Sequence, residues 1–271
     1  MKELFTTIIS PQALAQALAG ERPPRLIDCR ARLGDPAWGK AAYLSGHLPG
    51  AVYADLDADL ADPPDDRGRH PLPERERWAQ TVRQWGIGND DQVVVYDDAG
   101  GAFAARAWWM FRWLGHAPVA VLDGGLAACD LPVESTTPDY PPAAFETRAA
   151  ITREVGADRM NDPNLTLTDA RAEARWSGRE EPIDPVAGHI PGASCLPFQG
   201  NLADDGRFLP AAELAERFAH LDDPVVCYCG SGVTACHNIL AMCIAGLEEP
   251  YLYPDSWSGW ITDPERPIAR A

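Results

Sequence analysis

The chain has 271 residues, 46% apolar and 23% charged, with a formal net charge of −17 and a pI near 4.6. That length suffices for one large domain or two modest ones, each able to bury its own core. The acidic balance excludes nucleic acid and anionic membrane surfaces as general partners, and an anionic substrate would need a locally basic pocket.

In chain order, residues 1–7 carry neither a charged region followed by an apolar one nor a cleavage signal, and no apolar run is long enough to span a bilayer. A cytoplasmic location is therefore expected. Seven cysteines, odd in number and scattered, suit free thiols in a reducing compartment. Periodicity predicts helices over 11–18, 74–85 and 103–114, and strands over 25–28, 92–96 and 119–122. Residues 131–150 then carry four prolines, Pro132, Pro138, Pro141 and Pro142, in a polar surround, which reads as an extended connector. Beyond it, strands are predicted over 165–168, 225–228 and 251–253, and helices over 211–220 and 233–245. Alternating strands and helices at this spacing predict α/β domains, each a mostly parallel sheet with helices on both faces. Ligands of such sheets bind at the carboxyl ends of strands.

The chain also repeats itself. Leu26-Ile27-Asp28-Cys29-Arg30 and Gly46-His47-Leu48-Pro49-Gly50-Ala51 return as Leu167-Thr168-Asp169-Ala170-Arg171 and Gly188-His189-Ile190-Pro191-Gly192-Ala193. Val93-Val94-Val95-Tyr96-Asp97 likewise returns as Val225-Val226-Cys227-Tyr228-Cys229. Two homologous domains follow, at 1–135 and 151–271 with a linker at 136–150. His47 and His189 occupy equivalent positions, and that symmetry favours a structural role for both.

The halves differ at one chemically decisive place. Where the first has Asp97, the second has Cys229-Gly230-Ser231-Gly232-Val233-Thr234, between the strand at 225–228 and the helix at 233–245. A cysteine at a strand-to-helix turn lies beside backbone N–H groups and the positive end of a helix dipole, both of which favour the nucleophilic thiolate. Gly230 and Gly232 let the backbone curl around the sulfur. A zinc site from Cys227, Cys229, Cys236 and His237 is disfavoured, because alternation points Cys227 and Cys229 to opposite faces. A phosphatase loop ends in an arginine where this chain has Thr234 and Ala235. The remaining cysteines, the nine tryptophans and the acidic run at 62–66 read as core, packing and solvated loop.

The paired Asp-Xaa-Arg and Gly-His-Xaa-Pro-Gly-Ala segments, with the cysteine loop only in the second copy, resemble two-domain sulfurtransferases of the rhodanese family. Ala107-Trp108-Trp109, Leu122-Asp123-Gly124-Gly125 and Tyr253-Pro254-Asp255-Ser256-Trp257 extend the likeness over nearly the whole chain. It implies two tandem rhodanese-like domains, the second catalytic, and sulfur transfer through a persulfide on Cys229 without a cofactor or metal. The loop is similar to that of the mercaptopyruvate branch; thiosulfate-preferring members carry a basic loop instead. The resemblance implies a small anionic sulfur donor and a thiol or cyanide acceptor, a thioredoxin-like protein among the candidates. Gly230, Gly232, Val233 and Thr234 would cradle the sulfur. Arg175 would grip the donor carboxylate, while Ile183 stands where the branch has a second arginine and Arg179 is the nearest substitute. Ser231, His70 and Asp57 would form a proton relay. Two alternatives stay open: a thiosulfate:cyanide sulfurtransferase and a persulfide-carrying binding module without turnover.

Overall fold

The computed structural model describes residues 4–271, so part of the 1–7 leader reading lies outside the described residues. The chain forms two compact units. The first comprises residues up to Asp62, with Pro73–Ile151 and Asp204–Phe208; the second comprises Pro63–Leu72, Thr152–Ala203 and Leu209–Ala271. The linear division at 135 and 151 is therefore crossed twice. The proline-rich 136–150 segment lies along the first unit: Tyr140 donates to the Gly50 carbonyl at 2.9 Å, and the Ala143 and Arg148 N–H groups donate to Arg83 and Leu114, each at 2.9 Å.

The first unit runs β1 (Ile8–Ile9), α1 (Pro11–Leu18), β2 (Arg25–Asp28), α2 (Pro36–Ser45), β3 (Val52–Tyr53), α3 (Arg75–Gln84), β4 (Val93–Tyr96), α4 (Ala104–Trp113) and β5 (Val119–Leu122). Its strands form one parallel sheet in the order β1-β5-β4-β2-β3. The β-branched run of β4 is buried throughout, as a central parallel strand covered on both faces must be. The second unit runs β6 (Arg153–Glu154), β7 (Thr166–Asp169), α5 (Glu173–Trp176), β8 (Ser194–Cys195), α6 (Ala211–Phe218), β9 (Val225–Tyr228), α7 (Ala235–Ile244), β10 (Tyr251–Leu252) and α8 (Ser256–Trp260). Its parallel sheet, β6-β10-β9-β7-β8, repeats the first strand for strand. The duplication seen in the sequence is thus a duplication of topology.

The repeated motifs do the same structural work in each unit. Arg30 and Arg171 close bidentate ion pairs on Asp28 and Asp169 and reach on to the carbonyls of Gly46 and Gly188, at 2.7 and 2.6 Å. His47 Nδ1 lies 2.7 Å from the Tyr43 carbonyl with the two rings stacked; His189 Nδ1 lies 2.7 Å from the Trp176 carbonyl with its ring stacked on that indole. Tyr96 and Tyr228 accept the N–H groups of Leu48 and Ile190. Each set ties the loop before a short edge strand to the centre of its sheet.

At the turn after β4, Asp97 is fully buried. Its carboxylate accepts the N–H groups of Ala99 and Gly101 at one oxygen and of Phe103 and Ala104 at the other, all at 2.8–2.9 Å. This turn therefore holds a carboxylate on four main-chain donors. Asp97→Ala strips those donors of their acceptor inside the core, and is expected to destabilise the protein by about 3 kcal/mol, read as a lower midpoint in urea unfolding.

Candidate active site

The corresponding turn of the second unit holds Cys229. Strand β9 is buried along its length and delivers Cys229, itself 2% exposed, to the carboxyl end of the sheet. The chain then turns through Gly232, at φ 74, into α7. That conformation is one a side chain rarely adopts, so Gly232 makes the turn. Gly230 does something else. Its φ lies outside the left-handed region, but a Cβ there would sit 2.8 Å from Arg69 Nη2 and within 3.6 Å of both Arg175 Nη atoms. Glycine at 230 makes room for two guanidinium groups above the loop.

The Cys229 backbone is fixed on both sides. Its N–H donates to Ser256 Oγ at 3.1 Å, and its carbonyl accepts the Trp257 N–H at 3.0 Å. Ser256 holds this position at φ 55, an outlier for a non-glycine residue, with its hydroxyl donating to the Tyr253 carbonyl at 3.0 Å. Ser258 continues the chain of support. Its N–H donates to the Gly230 carbonyl at 2.9 Å and its hydroxyl accepts the Arg69 N–H at 3.1 Å. The Pro63–Leu72 segment is thereby fastened beside the cysteine loop.

That segment contributes His70 and Arg69. His70 Nδ1 and Ser231 Oγ are 2.7 Å apart and both residues are buried. With the ring proton on Nε2, Ser231 donates to Nδ1, an arrangement able to pass a proton to or from the hydroxyl. Arg69 pairs with Asp184, which also accepts from Arg175 Nη2 at 2.9 Å. Glu181 receives Arg175 Nε at 3.0 Å and Arg171 at 3.3 Å. Burial lowers the Arg69 pKa; the negative charge of a Cys229 thiolate works against that, while the neighbouring Arg175 adds to it. The site thus combines a buried thiol, a hydroxyl-imidazole pair and two cations.

The other predicted site residues fall as follows. Val233 is buried in the turn, and Thr234 stands at the N-terminal cap of α7. Arg179 is no substitute for the missing arginine. It is solvent-facing and bound to Glu173, while the second guanidinium over the loop belongs to Arg69. Asp57 lies in the first unit, where its N–H donates to Asp55 at 2.9 Å, and burial together with Asp55 raises its pKa above the ordinary carboxylate value. The zinc candidates have other engagements: the Cys236 thiol donates to the Gly232 carbonyl, and His237 joins Asn201 in a buried amide network. Among the described residues, no three His, Cys, Asp or Glu side chains are grouped to hold a metal ion.

Residues 10–130 and 152–263 each match the model of the rhodanese-like domain. The chain is 47% identical to the "Probable 3-mercaptopyruvate sulfurtransferase" of Pseudomonas aeruginosa, over 97% of both proteins. It is 40% identical to SseB of Mycobacterium tuberculosis, provisionally named a thiosulfate sulfurtransferase, over 97% of this chain and 96% of that protein. It superposes on the crystal structure of SseA from Escherichia coli, described as a 3-mercaptopyruvate sulfotransferase of rhodanese fold. There the TM-score is 0.80 at 30% identity, covering 94% of this chain and all of SseA. The chain is a two-domain rhodanese-family sulfurtransferase.

Sequence reasoning missed three of the residues that shape this sulfurtransferase's cysteine site. Arg69 directly precedes the histidine singled out by resemblance, Ser256 lies inside the quoted Tyr-Pro-Asp-Ser-Trp segment, and Asp184 follows Ile183. Each was adjacent to a signal, and each owes its role to a contact made far along the chain.

Proposed function

We propose that this sulfurtransferase draws sulfur from 3-mercaptopyruvate and carries it as a persulfide on Cys229. The Cys229 thiolate attacks the donor sulfur, forming an S–S bond as the C–S bond breaks. The electron pair of that bond leaves on carbon as the pyruvate enolate, which takes a proton to become pyruvate. A thiolate acceptor then attacks the outer sulfur and departs with it, restoring the Cys229 thiolate; cyanide would leave as thiocyanate by the same step. The carrying observation is the placing of the Cys229 loop beneath Arg69 and Arg175 with Ser231 on His70.

Each group has a role in that chemistry. The N–H groups of residues 230–234 and the N-terminus of α7 would stabilise the thiolate and the sulfur it receives, as the Asp97 turn does for a carboxylate. Arg175 and Arg69 would bind the donor carboxylate. Ser231, backed by His70, would supply the proton to the enolate. Asp57 stays a candidate for that relay on sequence grounds. Ser231→Ala is expected to lower kcat with mercaptopyruvate by about 10–100-fold while leaving KM within a few-fold, since general acid catalysis acts in the transition state.

Thiosulfate is the second reading, favoured by Arg69, whose charge could serve a departing sulfite. Steady-state rates with both donors and cyanide decide. Mercaptopyruvate should give the higher kcat/KM; a higher value with thiosulfate reverses the donor, and turnover with neither leaves only a sulfur-carrying module. An acidic chain with seven free cysteines also fits a cytoplasmic place. No helix among the described residues is long and apolar enough to cross a membrane.

A further inference from the structure

We infer that Asp184 is the specificity-determining residue of this site, a built-in counter-carboxylate that tunes the arginine pair for singly charged donors against doubly charged ones. The inference rests on the sulfur-transfer reading above. The Asp184 side chain is 2% exposed, and its two oxygens take one guanidinium each, Oδ1 from Arg69 and Oδ2 from Arg175. It therefore holds the two cations side by side above Gly230. Its placement is enforced locally, because Glu181 Oε1 accepts the N–H groups of both Ile183 and Asp184, at 3.1 and 3.0 Å. That turn leaves Ile183 at the surface, 44% exposed, and sends the carboxylate inward.

The charges decide the consequence. Arg69, Arg171 and Arg175 face Asp169, Glu181 and Asp184, so the cluster is balanced before the cysteine ionises. A thiolate at Cys229 then leaves the site with a net negative charge. In a buried, weakly screened setting that charge opposes a dianion about twice as strongly as a monoanion at the same distance. Mercaptopyruvate brings a single carboxylate; thiosulfate brings two charges. Two arginines beside the cysteine would by themselves favour thiosulfate, and Asp184 cancels that preference. Glu181 does not take over, since its oxygens are already engaged by Arg175 Nε and Nη2, by Arg171 and by the N–H groups of Ile183 and Asp184.

The test is Asp184→Asn, which keeps the shape and removes the charge. The expected result is a rise of about tenfold in the ratio of kcat/KM for thiosulfate to that for mercaptopyruvate, carried mainly by the thiosulfate KM. Arg69→Gln removes a positive charge from the same pair and should move the ratio the opposite way. It also decides the matter if the Asp184 variant fails to fold. A ratio unchanged in the folded variants, or moving the same way in both, overturns the inference. Intact mass of the wild type after each donor separates the two levels: no added sulfur with either donor defeats the sulfur-transfer reading, whereas added sulfur with an unmoved ratio defeats only the role of Asp184.

Discussion

Cys229→Ser should lose sulfur transfer by at least about 10⁴-fold with either donor, because a serine oxygen can neither be ionised at neutral pH nor hold a persulfide. The loss should come without unfolding. The contacts that fix this residue are made by its backbone, to Ser256 and Trp257, and survive the change of one atom. Cys227→Ala is the matched control, two residues away on β9. Burial pushes the Cys227 thiol up to about 12, and it accepts a hydrogen bond from Thr168 at 3.3 Å inside the sheet. That variant should lose about 1 kcal/mol of stability and keep its rate within a few-fold. Stopped-flow or steady-state assay of thiocyanate, alongside thermal melting, reads both. Equal losses in the two variants would mean that Cys227 and Cys229 matter for folding and not for chemistry.

Arg175→Ala is the second large effect, an expected fall of about 100-fold in kcat/KM with mercaptopyruvate, seen chiefly in KM. A hydrogen bond to a charged group is worth about 1.5–3 kcal/mol, and each 1.4 kcal/mol is tenfold, so loss of one forked contact to a carboxylate spans about 10–150-fold. The neighbourhood pushes the figure upward. Without Arg175, Asp184 and Glu181 each lose one guanidinium partner, which leaves one more uncompensated negative charge beside the donor. Arg175→Lys should recover less than half of the loss in free energy, since an ammonium lacks the planar fork with which Arg175 meets Glu181 through Nε and Nη2 and Asp184 through Nη2 while leaving Nη1 for a substrate. An unchanged KM in the alanine variant would remove Arg175 from donor binding.

Fold and site were legible to different depths. The central strands β4, β5 and β9 announce themselves as apolar runs rich in valine, and their burial on both faces is what makes such runs visible, whereas β2 and β7 end in aspartate and show through the repeated Asp-Xaa-Arg segment. Of the five two-residue strands, β1, β3, β6 and β8 are too short to carry a period of their own, while β10 showed only through the apolar Tyr251-Leu252-Tyr253 run. Helix α2 hides behind Gly39, where a Cβ would lie 2.2 Å from the Arg30 carbonyl; close approach to the loop after β2 overrides helix propensity. In the site, Cys229, Ser231, His70 and Arg175 stood out through residue type and likeness. Arg69 and Asp184 did not, since what gives them meaning is an ion pair spanning 115 residues. Asp97 was read as the chemical difference between the halves; its four main-chain donors add that the turn of the first unit holds a carboxylate.

The most direct test of the central claim is to mix the wild-type protein with one equivalent of mercaptopyruvate, quench at acid pH, digest, and map the added sulfur by peptide mass spectrometry. The account predicts one sulfur atom on the peptide carrying Cys229, lost again on adding cyanide with release of thiocyanate. Sulfur mapped to any of the six other cysteines, or retained in full by Cys229→Ser, would contradict it.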